Sequence, residues 1–308
     1  MKLLIELPTW LGDCVMATPA IENIIHNFPE CKIIFIGSEI SIELMKDHPK
    51  YLSSMILERS ILNLYSQVKQ IGAVDIFFSF RSSKRTRLLS FLLNSKKKFH
   101  YKKTLFKAGH QVERYNNFVN KSLSINRKPK SLVIYGANQK DEKSRPILGI
   151  NPGAAYGSAK CWSHKKYAEV ANSLSNKFDI VILGGNKEVD LAREIEENLI
   201  RNNCSNFTNY AGKTTIRDLI NLISSIDMLI TGDSGPMHIA AAFEIPTVSI
   251  FGPTKDNQTR QWMNPKSTVI KKELECQPCM KRVCPLKHHN CMVKIASREV
   301  IESALGLI

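Results

Sequence analysis

Three polar segments of the sequence lie where a predicted strand gives way to a predicted helix, and each contains glycine. They are residues 151–162 (NPGAAYGSAKCW), 184–188 (GGNKE) and 231–238 (TGDSGPMH). Loops of small residues let backbone N–H groups approach a phosphate, and a helix N-terminus attracts anions. We therefore predict that Gly153, Ser234 and Gly235 contact a diphosphate and that Lys160 adds a positive charge. A plain connecting loop with a solvated lysine is the alternative for the first segment.

Three further side chains in these segments can bind a ligand or serve only the fold. Glu188 lies where acidic residues hydrogen-bond ribose hydroxyls, although it also suits the first turn of a helix. Asp233 and His238 flank the start of the third helix, where they can face the same ligand or act as a cap and a structural histidine. Together the three segments indicate a nucleotide diphosphate site in the C-terminal half.

The N-terminal half offers one carboxylate in a similar position. Asp13 follows the first predicted strand and a tight turn at Gly12, at the start of a helix. A carboxylate at the carboxyl end of a strand can face a cleft and accept a proton as a general base. The alternative is that Asp13 only caps the helix.

A run of ten basic residues between positions 81 and 107 contains no acidic residue and explains most of the net charge of +15. The run consists of Arg81, Lys84, Arg85, Arg87, Lys96, Lys97, Lys98, Lys102, Lys103 and Lys107. A solvated face is the simplest interpretation. Nucleic acid is disfavoured because no binding module or interleaved aromatic residues accompany the run. An anionic acceptor attached to a membrane fits best beside a nucleotide site.

Four cysteines cluster near the C-terminus, within 16 residues and beside two histidines. Cys276, Cys279, Cys284 and Cys291 can bind one structural zinc ion, pair as disulfides or remain free thiols. Their spacing is not that of a standard zinc ribbon, and a reducing compartment disfavours disulfides.

The elements that must position these residues alternate between strand and helix. Buried apolar strands between helices predict parallel sheets, and the pattern restarts after a polar stretch at 138–146. We therefore predict an α/β protein with two Rossmann-like, doubly wound domains, 1–140 and 141–308, facing a cleft. The 308 residues contain 43% hydrophobic residues, which excludes overall disorder, and no apolar run is long enough to span a membrane. Glu6 and Pro8 interrupt any signal peptide, so we expect a cytoplasmic protein.

The motifs around Asp13, Pro152–Trp162 and Asp233–His238 together resemble those of glycosyltransferase family 9, the ADP-heptose:lipopolysaccharide heptosyltransferases. The resemblance runs from Leu7 to the final helix. It implies the GT-B fold and an inverting transfer of heptose from ADP-heptose to the lipopolysaccharide inner core, the second heptose onto the first. It implies no catalytic metal or cofactor, no nucleic-acid partner, and peripheral association with the inner face of the inner membrane.

The resemblance also implies a role for each candidate residue. Asp13 would be the general base and Lys160 would neutralise the departing diphosphate. Donor binding would fall to Gly153, Glu188, Asp233, Ser234, Gly235 and His238. From charge alone, Arg81 and Arg85 are candidates for binding the acceptor. Two alternatives stay open: a related GT-B transferase with another nucleotide sugar or acceptor, and a basic binding protein without enzymatic activity.

Overall fold

A computed structural model describes residues 1–58, 60, 62–138 and 144–308. The chain divides into two compact units, Met1–Gly136 and Ala137–Ile308. Part of the predicted linker, residues 139–143, lies outside the described residues together with the predicted domain boundary. Each unit is built around one sheet, and every strand pairing in both sheets is parallel.

Unit 1 alternates strictly between strand and helix. Its elements are β1 (Lys2–Glu6), α1 (Leu11–Asn27), β2 (Lys32–Gly37), α2 (Glu39–Met45), β3 (Tyr51–Ile56), α3 (Leu62–Ile71), β4 (Val74–Ser79), α4 (Lys84–Leu92), β5 (Ser95–His100) and α5 (Gln111–Leu123). The strands form sheet 1 in the order β3-β2-β1-β4-β5. Its central strands are apolar and buried because helices cover both faces.

Unit 2 repeats the alternation with one more strand. Its elements are β6 (Ile147–Asn151), α6 (His164–Leu174), β7 (Asp179–Ile182), α7 (Val189–Arg201), β8 (Phe207–Asn209), α8 (Ile216–Ser225), β9 (Met228–Gly232), α9 (Gly235–Ala242), β10 (Thr247–Phe251), α10 (Asp256–Thr259), β11 (Ser267–Lys271), α11 (Asn290–Val293) and α12 (Ser297–Leu305). Sheet 2 has the order β11-β10-β9-β6-β7-β8. Because its strands are parallel, the loops that follow β6, β7 and β9 emerge at one edge.

The last stretch of unit 1, residues 125–136, runs along α1 and satisfies polar side chains of that helix. Val133 N–H donates to Thr18 Oγ1 at 3.0 Å, and the Tyr135 hydroxyl donates to Glu22 Oε1 at 3.1 Å. Asn23 Nδ2 lies 3.4 Å from the carbonyl oxygen of Lys128. This stretch therefore belongs to the core packing of unit 1 although it forms no strand or helix.

Candidate active site

The predicted phosphate-binding segments meet at the carboxyl edge of sheet 2. We call residues 152–163, 183–188 and 233–234 the strand-end loops; they follow β6, β7 and β9 respectively. Asn151, the last residue of β6, ties the first loop to the third: its Nδ2 lies 3.0 Å from Thr231 Oγ1 and 3.1 Å from Ser234 Oγ. Side-chain hydrogen bonds therefore hold the first and third loops together, in addition to the pairing of their strands.

Lys160 and Asp233 form the central ion pair of these loops. Lys160 Nζ lies 2.5 Å from Asp233 Oδ2 and 3.1 Å from the Asp233 carbonyl oxygen, and the carboxylate is almost fully buried. Thr254 donates to the same Oδ2 at 2.7 Å. The ammonium also lies 4.8 Å from the centre of the Tyr156 ring, which adds a cation–π attraction. Lys160 is therefore an oriented cation rather than a solvated one.

Glu188 packs against glycines of two strand-end loops. A Cβ at Gly153 would overlap the Glu188 side chain, and Glu188 Oε2 accepts a hydrogen bond from Gly185 N–H at 2.8 Å. Only glycine at position 153 leaves room for this arrangement. The carboxylate is consequently fixed at the same edge of the sheet as Lys160.

Helix α9 begins at the third loop, with Ser234 as the residue before its first turn. The Ser234 hydroxyl does not cap the helix; it lies 3.0 Å from Thr231 Oγ1 instead. Gly235 and Pro236 form the start of the helix, where backbone N–H groups and the helix dipole favour an anion. His238 follows within the first turn and is buried.

In unit 1, Asp13 is the third residue of α1 and not its cap. The helix begins at Leu11 after Trp10, so the alternative interpretation of Asp13 as an N-cap is wrong. Asp13 is partly exposed. Burial raises the pKa of Tyr101 and Tyr115, and the negative charge of Asp13 raises both further. The carboxylate lies in the first turn of α1, after the carboxyl end of β1, and its charge acts on both tyrosines.

Arg81 lies beside a buried carboxylate, that of Glu6, which was not among the predicted site residues, and the positive charge of Arg85 also acts on it. Glu6, at the end of β1, accepts hydrogen bonds from Ser79 Oγ at 2.5 Å and Thr86 Oγ1 at 3.1 Å. Burial raises its pKa, opposed by these bonds and by the charge of Arg81. Arg81 Nη1 lies 3.7 Å from Glu6 Oε1. Arg85 Nε and Nη2 are buried and have no hydrogen-bond partner among the described residues.

Some members of the basic run already form ion pairs or hydrogen bonds within unit 1. Lys96 pairs with Asp75 at 2.7 Å, and Lys98 Nζ donates to the carbonyl oxygens of Ser90 and Leu93 near the end of α4. Apart from Lys96, the exposed members of the run are Lys84, Arg87, Lys97, Lys102, Lys103 and Lys107. Among the helices of the described ranges, none is long and apolar enough to cross a membrane.

Comparison with known proteins decides the family. The family described as glycosyltransferase family 9 (heptosyltransferase) matches residues 78–290. The lipooligosaccharide heptosyltransferase 2 of Campylobacter jejuni is 40% identical, over 100% of this chain and 98% of the relative. The chain belongs to glycosyltransferase family 9.

Solved structures agree with this family 9 assignment at the level of the fold. The E. coli ADP-heptose lps heptosyltransferase II structure has a TM-score of 0.82 at 22% identity, covering 100% of this chain and 98% of that chain. The E. coli heptosyltransferase WaaC with ADP has a TM-score of 0.79 at 14% identity, covering 100% of both chains. The predicted α/β fold of the GT-B class is confirmed, and the protein is a glycosyltransferase.

Two residues of the candidate site, Asn151 and Thr254, were not predicted from the sequence as functional residues. Asn151 and Thr254 bind Ser234 and Asp233, yet neither residue type signals a ligand by itself. Thr254 also lines a cavity of about 790 Å³ at the carboxyl ends of β10 and β11, beside the strand-end loops. The Phe251–Gly252–Pro253–Thr254 loop carries no charge, so only its place after a buried strand could have drawn attention to it.

The four clustered cysteines of this family 9 chain line one small cavity of about 20 Å³, with His288, His289 and Ala159. All eight cysteines of the chain are free thiols in the structure. In the ranges that the structure covers, no three His, Cys, Asp or Glu side chains are arranged to hold a metal ion. The structural zinc site stays a prediction.

Proposed function

We propose that the protein transfers heptose from ADP-heptose to the inner core of lipopolysaccharide, adding the second heptose to the first. One observation carries the proposal: an oriented cation, a helix N-terminus and a fixed carboxylate converge at the carboxyl ends of β6, β7 and β9. The Campylobacter jejuni relative, named lipooligosaccharide heptosyltransferase 2, supports the substrate class.

In this proposal unit 2 binds the donor. Lys160 neutralises the diphosphate as it departs, since stabilisation of developing charge usually contributes more to catalysis than any other single effect. The first N–H groups of α9, at Ser234 and Gly235, bind phosphate oxygens. Glu188 accepts hydrogen bonds from the ribose hydroxyls, and Gly153 keeps the space for that carboxylate.

Asp233 and His238 complete the proposed donor site. Asp233 already binds Lys160 and Thr254, so its carboxylate orients the cation and can accept hydrogen bonds from sugar hydroxyls. A carboxylate suits sugar hydroxyls better than phosphate oxygens, because two anions repel. His238, in the first turn of α9, also helps to hold the diphosphate and sugar of the donor.

The proposed reaction is a single displacement with inversion. The acceptor hydroxyl oxygen attacks the anomeric carbon of the heptose, and the bond from that carbon to the diphosphate oxygen breaks. Asp13 takes the hydroxyl proton, and ADP leaves with the bonding electrons. General base catalysis of this kind contributes about 10²–10⁴-fold. The reaction as proposed balances without a redox cofactor or a catalytic metal.

Unit 1 binds the acceptor in this proposal. Arg81 and Arg85 recognise anionic groups of the inner core, because guanidinium groups bind carboxylate and phosphate in a bidentate manner. The Glu6 carboxylate beside Arg81 holds that side chain in place. Arg85 has two buried nitrogen atoms, Nε and Nη2, whose hydrogen-bonding capacity an anion would satisfy.

We further propose that unit 1 meets the inner membrane from the cytoplasmic side. One face of α4 exposes Lys84, Arg87 and Phe91, which lie three and four residues apart, and Phe91 is 82% exposed. Cations attract an anionic leaflet, and an exposed aromatic ring suits its interface. Cosedimentation with vesicles containing anionic phospholipid should fall for Phe91→Ser and Arg87→Glu, but not for Lys177→Glu, an exposed change in unit 2.

The decisive experiment is transfer from ADP-heptose to a lipid A–Kdo acceptor that already carries one heptose. The expected product is one heptose heavier, and Asp13→Asn should abolish it without unfolding the protein. Asp75→Asn is the matched control, since Asp75 pairs with Lys96 and with the Lys2 N–H at the opposite edge of sheet 1. No product from folded wild-type enzyme would contradict the assignment and direct the search to other nucleotide sugars.

A further inference from the structure

The turn that carries Lys160 is too short to hold its own position. Ser158–Lys160 form a single 3₁₀ turn, closed by hydrogen bonds from Lys160 N–H to Gly157 O at 3.1 Å and from Cys161 N–H to Ser158 O at 3.0 Å. Isolated turns of this kind have weak internal hydrogen bonds. The position of the Lys160 ammonium therefore depends on contacts from outside the loop.

Asp233 binds the ammonium itself, and the contacts that hold the turn come from residues 276–291, which we call the cysteine-rich segment. It binds both backbone groups of Ala159, the residue before Lys160. Ala159 N–H donates to Arg282 O at 3.0 Å, and His289 Nε2 lies 2.8 Å from Ala159 O. A carbonyl oxygen can only accept, so His289 Nε2 carries the proton.

The same segment contacts the Lys160 loop at two more points. The Tyr156 hydroxyl donates to Met280 O at 2.8 Å. A Cβ at Gly157, whose φ is +152°, would overlap Arg282 O, so the backbones of loop and segment are in direct contact. The Tyr156 ring also faces the Lys160 ammonium. The segment thus fixes both the backbone and the aromatic neighbour of Lys160.

The cysteine-rich segment is itself anchored on the other side of β9. Gln277 Nε2 donates to Gly252 O at 2.7 Å, and Met280 N–H donates to Pro253 O at 2.9 Å, both in the loop after β10. Cys291 is buried in the core of unit 2. The segment therefore links the loops after β6 and β10, which flank the strand that leads to Asp233.

We infer that His289 is a positioning residue for Lys160, acting through the carbonyl group of Ala159. The inference rests on the proposed function, because it assigns His289 to the charge-neutralising cation of the donor site. Displacement of a reacting group by about 1 Å can cost about 10²-fold in rate. Loss of one of two backbone anchors should have a smaller effect, which we expect to be about tenfold on kcat.

The test compares His289→Ala, His289→Gln and His288→Ala. Gln places an amide N–H near the position of His Nε2 and should restore most of the kcat lost in His289→Ala. His288 is exposed and its Nδ1 accepts from Asn290 N–H within the segment, so His288→Ala is the matched control. Melting temperatures of all three variants identify any general loss of stability.

A double-mutant cycle with Lys160→Ala separates positioning from a structural role. If His289 acts through Lys160, His289→Ala should lower neither kcat nor ADP affinity further in the Lys160→Ala background. Independent effects that multiply, or no rescue by Gln, would overturn the inference. Calorimetric binding of ADP distinguishes failure of this inference from failure of the proposed function. If Lys160→Ala leaves ADP affinity unchanged, the proposed donor site is wrong, whatever the effect of the His289 variants.

Discussion

The carboxyl edges of the two sheets carry candidate residues of different character. At the edge of sheet 2, each key side chain is held by a neighbouring loop: Lys160 by Asp233, and Asn151 by Ser234. At the carboxyl edge of sheet 1, Arg81 lies 3.7 Å from Glu6, and Lys102, Lys103 and Lys107, which follow β5, are exposed. A rigid site suits a small constant group such as a diphosphate. An edge with many exposed cations suits a large anionic acceptor.

Of the variants that test this comparison, Lys160→Ala should have the largest effect, and that effect should concern the donor. We expect kcat/KM for ADP-heptose to fall about 10²–10³-fold, because the departing diphosphate loses its oriented cation. Steady-state transfer at varied donor concentration measures the change. The exposed Lys177→Ala in unit 2 is the control. A change confined to the KM for the acceptor would contradict the assignment of the donor to sheet 2.

Arg81→Ala should affect the acceptor instead. A charge-assisted hydrogen bond lost with this side chain should raise the acceptor KM about tenfold and leave the KM for ADP-heptose unchanged. Lys121→Ala, an exposed change on α5, serves as the comparison variant. If the donor KM rises equally, unit 1 is not a separate acceptor-binding unit.

Glu6→Gln should change stability more than activity, in a pH-dependent way. Burial raises the pKa of folded Glu6 above its ordinary value of 4.5, so the folded protein binds this proton more tightly than the unfolded chain. Wild-type free energy of unfolding therefore decreases as pH rises from about 4.5 through the raised value. The variant should lack this decrease, whereas the exposed Glu30→Gln should retain it. Urea unfolding between pH 4 and 7 measures both, and identical pH slopes would contradict the assignment.

The last prediction concerns the clustered cysteines, and it should affect donor and acceptor binding least. If Cys276, Cys279, Cys284 and Cys291 hold structural zinc, freshly purified protein should contain about one zinc per chain. A chelator should then lower the melting temperature. Metal analysis combined with thiol titration decides the point: four reactive thiols and no zinc would refute the prediction.

The central strands were predictable because their pattern is unambiguous. The apolar sequences at 74–79, 147–151 and 247–251 predict strands, and the structure forms β4, β6 and β10 over these ranges. Continuous apolar runs between helices have few other interpretations. The glycine-containing strand-end loops were predictable for the same reason, since each follows such a strand.

The edges of the sheets were not predictable in this way. Strand β5 (Ser95–His100) contains three consecutive lysines and lies at the edge of sheet 1 beside β4, so its sequence resembles a solvated loop. Helix α5 begins with a capping box at His110 and Glu113, and histidine is an uncommon cap. The contact of His289 with Ala159 joins residues 130 positions apart, which no local pattern reveals.

The stretch 125–136 determines where the chain can be truncated without destabilising unit 1. A fragment of the chain ending at Leu123 would contain every strand and helix of unit 1, yet it would leave Thr18, Glu22 and Asn23 without their partners from that stretch. The helix so weakened is α1, the one that contains Asp13. The minimal fragment that contains unit 1 intact therefore extends to Gly136, well beyond the end of its last helix.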